Sequence, residues 1–143
     1  MLRSPKTLEL PEGVERHLPT WRDVLKEAYA RLRGDIQANS ITRVAVASDY
    51  VASRFDTIIA VTDSSVARAI TLAPVAKVGP ARIVLVKDEG GQAGGALTHI
   101  NIIAAGADTI EGAANREIAV NNGWLRIYSD GIATWWLIGM ELV

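Results

Sequence analysis

The spacing of apolar residues along the chain changes once, near residue 40. Before that point Trp21, Val24, Leu25, Ala28 and Leu32 recur at helical intervals, with Arg22, Asp23, Lys26, Glu27 and Arg31 between them. Such a period predicts an amphipathic helix. Thr20, followed three residues later by Asp23, has the form of an N-terminal cap. Gly34 is the expected stop. After residue 40, short runs rich in Val, Ile and Thr alternate with clusters of Gly, Asp, Asn and Ser. These runs predict strands near 42–48, 57–62, 68–73, 81–87, 97–104, 116–120, 124–129 and 132–139.

Turn chemistry separates most of these runs. Asn121-Asn122-Gly123 and Ser129-Asp130-Gly131 are strong hairpin signals, because Asn-Gly and Asp-Gly tolerate positive φ. Strands this close together, with no helical segment between them, predict antiparallel pairing and disfavour a parallel sheet. The expected fold is therefore mainly β. It is an antiparallel β-sandwich or barrel-like module over 41–143, with a jelly-roll-like arrangement among its forms. Residues 1–40 precede it as an extended arm and one short α-helix. Pro5, Pro11, Gly13 and Pro19 give the arm its extended character.

Both segments carry more apolar surface than they can bury alone. A helix of about four turns needs a partner for its stripe. Trp21, Val24, Leu25, Ala28 and Leu32 are accordingly the expected packing face, against the β module, copies of the helix or another protein. In the run Ile132–Ile138, one face offers Ile132, Trp136 and Ile138 and the other Trp135 and Leu137. Adjacent strand residues point to opposite sides, so one tryptophan can enter the core and the other must be covered or exposed. A small antiparallel sheet normally shows water a polar face. Trp135, Trp136 and Leu137 are thus candidates for a subunit interface, and cover by the N-terminal helix is the alternative.

Composition narrows the function classes. The chain has 143 residues, 49% hydrophobic and 22% charged, with a formal net charge of -1. This is a globular composition without the field that nucleic acid or an anionic membrane requires. No apolar run approaches the ~20 residues of a membrane helix. There is no cysteine, which excludes disulfides, thiol nucleophiles and cysteine-based zinc sites. The first residues, MLRSPKTLELPEG, carry charges where a signal peptide has its apolar core, so none is expected. Residues 1–40 hold 13 of the 31 charged side chains, the mark of a different environment from the rest.

The candidate chemistry is sparse. VKDEGGQAGG, residues 86–95, is glycine-dense, but its lysine precedes the glycines and the segment after it is strand-like. A phosphate-cradling loop requires the opposite order and a following helix. A loop between strands is expected, with Asp88 and Glu89 as solvated turn acids. His17 and His99 have no partner at ligand spacing. Asp108 with Glu111, and Asp130, are the carboxylates a depolymerase would use. Acids in turn clusters commonly bond their own backbone, however, and no catalytic residue, metal site or cofactor is assigned. Arg33-Gly34-Asp35 spells an adhesion tripeptide but overlaps the expected helix end. Trp124, Trp135 and Trp136 suit either a core or a sugar-stacking platform, and Trp124 is the candidate glycan contact.

One resemblance spans most of the second part. Ile70-Thr71-Leu72, Gly79, Val86-Lys87-Asp88, Gly91, Ala93, Ile100, Ile102, Asp108, Ile110, Gly112, Ser129-Asp130-Gly131 and Trp135 resemble, in order and spacing, a β-rich module of bacteriophage tail-fibre and virion appendage proteins. The similarity covers roughly 56–139. It departs from the family pattern at Leu72-Ala73-Pro74, where proline usually follows leucine directly. It implies a non-enzymatic virion structural protein, typically a homotrimer, of the tail- or head-fibre type. Residues 1–36 would attach it to other virion proteins, and the β module would meet a host glycan or receptor. A capsid decoration protein is the alternative within the virion; a carbohydrate-binding module or small depolymerase is the alternative outside it.

Overall fold

The computed structural model describes residues 20–39 and 41–141, with side chains described over 20–32 and 41–141. The arm expected over 1–19, including His17, lies outside the described residues. The chain forms two compact units that divide between Asn39 and Ser40.

The first unit contains helix α1, Trp21–Asn39. Its start is the one the sequence signals. Thr20 Oγ1 donates to Asp23 Oδ2 at 2.7 Å and accepts the Asp23 N–H at 3.3 Å. The Thr20 carbonyl accepts the Asp23 and Val24 N–H groups. An i,i+4 pair, Glu27 with Arg31 at 2.6 Å, lies on the exposed surface. The expected stop at Gly34 is overturned, since the helix continues to Asn39. One interior glycine costs only about 1 kcal/mol relative to alanine, too little to end a helix unaided. The Arg33-Gly34-Asp35 backbone is therefore helical rather than an extended loop.

The second unit is mainly β. Its strands are β1 (Arg43–Val46), β2 (Tyr50–Val51), β3 (Ile58–Val61), β4 (Arg68–Thr71), β5 (Pro80–Asp88), β6 (Ile100–Ile103), β7 (Thr109–Ile110), β8 (Asn115–Ile118), β9 (Trp124–Asp130) and β10 (Thr134–Met140). A single-turn helix, α2 (Val75–Val78), sits between β4 and β5. Eight of the strands match expected runs. The two-residue strands β2 and β7, and α2, were not foreseen, because a period cannot be read from so few residues.

Two mixed sheets result, with strand orders β1-β3-β5-β9-β10-β7 and β2-β4-β6-β8. The expectation of purely antiparallel pairing is corrected. β1 with β3, β3 with β5, β2 with β4, β4 with β6, and β7 with β10 are all parallel. Parallel neighbours need a long crossover between them, usually a helix. Here the crossover is a strand of the opposite sheet. The chain runs from β1 across to β2, back to β3 beside β1, across to β4 beside β2, and on to β5 and β6. Each traverse is one coil of about two short strands, so parallel pairs form without helices. The later strands reverse the sense: β8 lies antiparallel to β6, and β9 antiparallel to β5 and β10.

Pleat alternation turns one side of each sheet toward a shared core. Val46, Ile59, Val61, Val84, Val86, Leu125, Ile127 and Trp135 of the larger sheet join Ile70, Ile100, Ile102 and Ile118 of the smaller one in a single cluster. Ser129-Asp130-Gly131 makes the expected β9–β10 hairpin. Asn121-Asn122-Gly123 does not make a hairpin, because β8 and β9 belong to different sheets. It is a sheet-to-sheet turn, with Asn122 at φ 57°.

Gly131 has φ 79°, and a Cβ there would stand 2.8 Å from the Pro80 nitrogen. Strained backbone and a backbone collision act together at this position. Gly131→Ala is expected to cost about 2 kcal/mol, read from urea unfolding midpoints, whereas alanine at a strain-free site would fall within about 0.5 kcal/mol.

Candidate functional site

The acids that could have run chemistry are occupied by the backbone. Asp88 ends β5 and is fully buried, which corrects its expected role as a solvated turn acid. Its Oδ1 accepts the Ser64 hydroxyl at 2.7 Å and the Gly91 N–H at 2.9 Å. Its Oδ2 accepts the N–H groups of Ala93 at 3.1 Å and Asn122 at 3.0 Å. These donors come from three sheet-to-sheet connections: β3–β4, β5–β6 and β8–β9. Burial raises the carboxyl's proton affinity, but the hydrogen bonds outweigh it and hold Asp88 below the ordinary aspartate value. The glycine-dense stretch is a loop closed over this carboxylate. Gly90 approaches so near Ser64 that a Cβ would lie 2.7 Å from its nitrogen, and Ala93 is a fully buried plug. Glu89, next to Asp88, turns outward and pairs with Arg43.

Asp130 Oδ1 accepts the N–H groups of Ile132, Ala133 and Thr134 at 2.8, 3.0 and 3.0 Å. These bonds, that from Thr134 first, hold its carboxyl below the usual range. Asp108 Oδ2 accepts the Val75 N–H at 2.8 Å. Glu111 Oε1 accepts the Leu137 N–H at 3.2 Å, and its other oxygen lies 3.9 Å from Arg116. Ser129 Oγ accepts the Arg82 N–H and donates to the Gly79 carbonyl. Asp88, Asp108, Glu111 and Asp130 each accept backbone N–H groups, and no two of them are held together about a cleft in the contacts described. His99 begins the approach to β6, its Nδ1 3.4 Å from Glu117 Oε2. Among the described residues, no group of three or more His, Asp or Glu side chains could hold a metal ion.

What remains open is apolar and aromatic surface. On α1, Trp21, Val24, Leu25, Ala28 and Leu32 are all exposed, as is Tyr29, which the sequence reading did not single out. On β10 the two adjacent tryptophans part company. Trp135 is fully buried in the core, whereas Trp136 is 41% exposed on the opposite face. Trp135 is thus removed from the interface candidates. Leu137 is half-buried and packed against the core, so of the three candidates on β10 Trp136 is the exposed one.

The outer face of the larger sheet follows from register. Ile83, Tyr128 and Trp136 lie abreast on β5, β9 and β10. Leu85, Arg126 and Gly139 form the next row, and Lys87 and Trp124 the one after. Ile83, Tyr128, Trp136 and Ile138 are exposed. Trp124 is half-buried because its indole leans across β10. A Cβ at Gly139 would come within 2.9 Å of Trp124 Cη2 and 3.1 Å of Cζ3. Tyr128 and Arg126 were missed as surface residues. The signal was present in the alternation of WLRIYSD, where positions 124, 126, 128 and 130 share one side.

The residues carrying the phage-module resemblance are mainly fold-building ones. Ile70, Leu72, Val86, Ile100, Ile102, Ile110 and Trp135 are core. Gly79, Gly91, Gly112 and Gly131 occupy positive φ. Asp88, Asp108 and Asp130 bind turns. Among the described residues, no helix is long and apolar enough to cross a membrane. Compared with known proteins, the chain matches no family model, and no curated protein is similar to it.

Proposed function

We propose that this chain is a non-enzymatic structural subunit of a bacteriophage virion. In this reading it is a homotrimeric appendage of the tail- or head-fibre type. The N-terminal segment attaches it and joins its copies, and the β module projects from the particle. The observation that carries the proposal is the open stripe of α1. Trp21 and Ala28, and Leu25 and Leu32, are pairs seven residues apart on one exposed face. A seven-residue repeat is the seam by which helices of identical chains wind together, and an amphipathic helix draws most of its stability from packing its apolar face. The resemblance in order and spacing between its turn and strand residues and those of phage appendage modules supports the virion assignment. The tying of Asp88, Asp108, Glu111 and Asp130 to backbone donors favours a structural role over a depolymerase.

Joining three copies would convert weak contacts at the projecting modules into tight multivalent attachment. Sedimentation of the full chain at micromolar concentration is expected to give a trimer. Leu25→Asp with Leu32→Asp is expected to weaken self-association by about tenfold or more while leaving the β module's unfolding midpoint unchanged. A wild-type monomer at that concentration would remove the proposal. Gold-labelled antibody on assembled particles locates the chain. Labelling spread over the capsid lattice would replace the fibre reading with the decoration-protein reading.

A further inference from the structure

The outer face of the larger sheet carries a second assignment, one that requires Trp136 to stay open in the assembled protein rather than be covered by another copy. Along β9 the outward side chains are Trp124, Arg126 and Tyr128, and Trp136 stands directly opposite Tyr128 on β10. Same-face neighbours on a strand have Cα atoms about 7 Å apart, so Trp124 and Tyr128 stand one position to either side of Arg126 on the outer face. Three features make this more than scattered aromatic exposure. First, the indole of Trp124 lies down over Gly139, where any larger residue would lift it. Its ring is thereby set along the sheet. Second, Arg126 is exposed and has no ion pair or side-chain hydrogen bond among the described residues, whereas Arg43, on β1 of the same sheet, is paired with Glu89. Third, the acid on the same strand face, Asp130, is committed to three backbone donors.

We propose that Trp124, Arg126, Tyr128 and Trp136 form a binding platform for an acidic polysaccharide, one whose sugar rings bear carboxylate or sulfate groups. Aromatic faces accept the C–H faces of pyranose rings, and they hold their shape at little entropic cost. An unpaired, planar guanidinium between them supplies bidentate recognition of a carboxylate or sulfate, and lysine does not reproduce that geometry. Charge complementarity therefore selects an anionic glycan over a neutral one. A long, repetitive chain suits a flat open face better than a single small molecule, which needs a concave site to bury it.

The test is a glycan array spanning uronic-acid, sialic-acid and sulfated sugars together with neutral sugars, probed with the full chain. Tryptophan-fluorescence titration of the best hits follows, with polyglutamate as a ringless polyanion. Binding confined to acidic glycans, quenching of indole emission, and no comparable response to polyglutamate are expected. Arg126→Gln is expected to weaken binding about tenfold, with Arg126→Lys recovering only part of it. Trp136→Ala and Tyr128→Ala are each expected to weaken binding by about fivefold or more. Circular dichroism melts of each variant separate loss of the platform from loss of fold. Three results would overturn the proposal: no acidic hit, equal affinity for neutral sugars or polyglutamate, or Trp136→Ala dissociating the wild-type oligomer without changing glycan binding. The last would assign the face to a second copy of the chain.

Discussion

Replacing Asp88 with alanine is expected to destabilise the β module by about 4 kcal/mol, a large fraction of the ~5–15 kcal/mol that holds an ordinary domain together. The carboxylate is fully buried and accepts four hydrogen bonds. Removal leaves three backbone N–H groups and the Ser64 hydroxyl without their acceptor, and each unsatisfied buried donor costs about 1–3 kcal/mol. The donors sit on three different connections, so the loss also loosens three sheet-to-sheet crossings at once. Asp88→Asn keeps the volume but turns an NH₂ toward donors, and about 2–3 kcal/mol is expected. Urea unfolding monitored by circular dichroism measures both. Values below about 1 kcal/mol would show that the loop does not depend on this carboxylate.

The same residue sets an acid limit. The folded carboxyl of Asp88 lies below its ordinary value, as do those of Asp63 and Asp130. A depressed folded value contributes stability that is complete above the unfolded pKa, at about pH 4. That stability is lost as the pH falls through the folded value, because the unfolded chain then binds more protons. The wild type is expected to lose unfolding free energy steeply below about pH 4, and Asp88→Asn less steeply. The difference between the two narrows as acid is added. A constant difference from pH 7 to strong acid would contradict the linkage.

The second large effect separates two neighbours of identical chemistry. Trp135→Ala is expected to cost about 4 kcal/mol, through lost burial and the cavity left behind. Trp136→Ala is expected to stay within about 1 kcal/mol, since the ring is 41% exposed on the opposite face. Trp135→Phe should be milder than alanine, at about 1–2 kcal/mol. The Trp135 Nε1–H is buried without an acceptor, so phenylalanine removes no hydrogen bond while retaining most of the ring. Thermal melts of the three variants test the order. Equal effects of the two alanine substitutions would mean that the face assignment is wrong.

The strands were legible where they were long. Runs such as ARIVLVKD and WLRIYSD carry alternation or continuous β-branched burial that local chemistry alone explains. The cap at Thr20 and Asp23 and the hairpin at Ser129–Gly131 were legible for the same reason, as each is settled by neighbours within four residues. Strand partners were not. Whether 43–46 pairs parallel with 58–61 depends on 50–51 crossing to another sheet, and two residues carry no period. Asp88 illustrates the limit at a single side chain. Its sequence context is a polar glycine loop, yet its donors at Ser64 and Asn122 lie 24 and 34 residues away.

The sequence by itself therefore determined the mainly β character, the capped amphipathic helix, and the need for an uncovered apolar face on each. These are properties of period and turn chemistry, which act within a few residues. Only the tertiary structure decided that the strands coil between two mixed sheets and that Asp88 is a buried staple. It alone decided that Trp135 faces inward while Trp136 stands beside Tyr128 and Arg126. Those outcomes rest on long-range register, where shifting one residue exchanges the core face for the solvent face, and nothing local to either tryptophan encodes the choice.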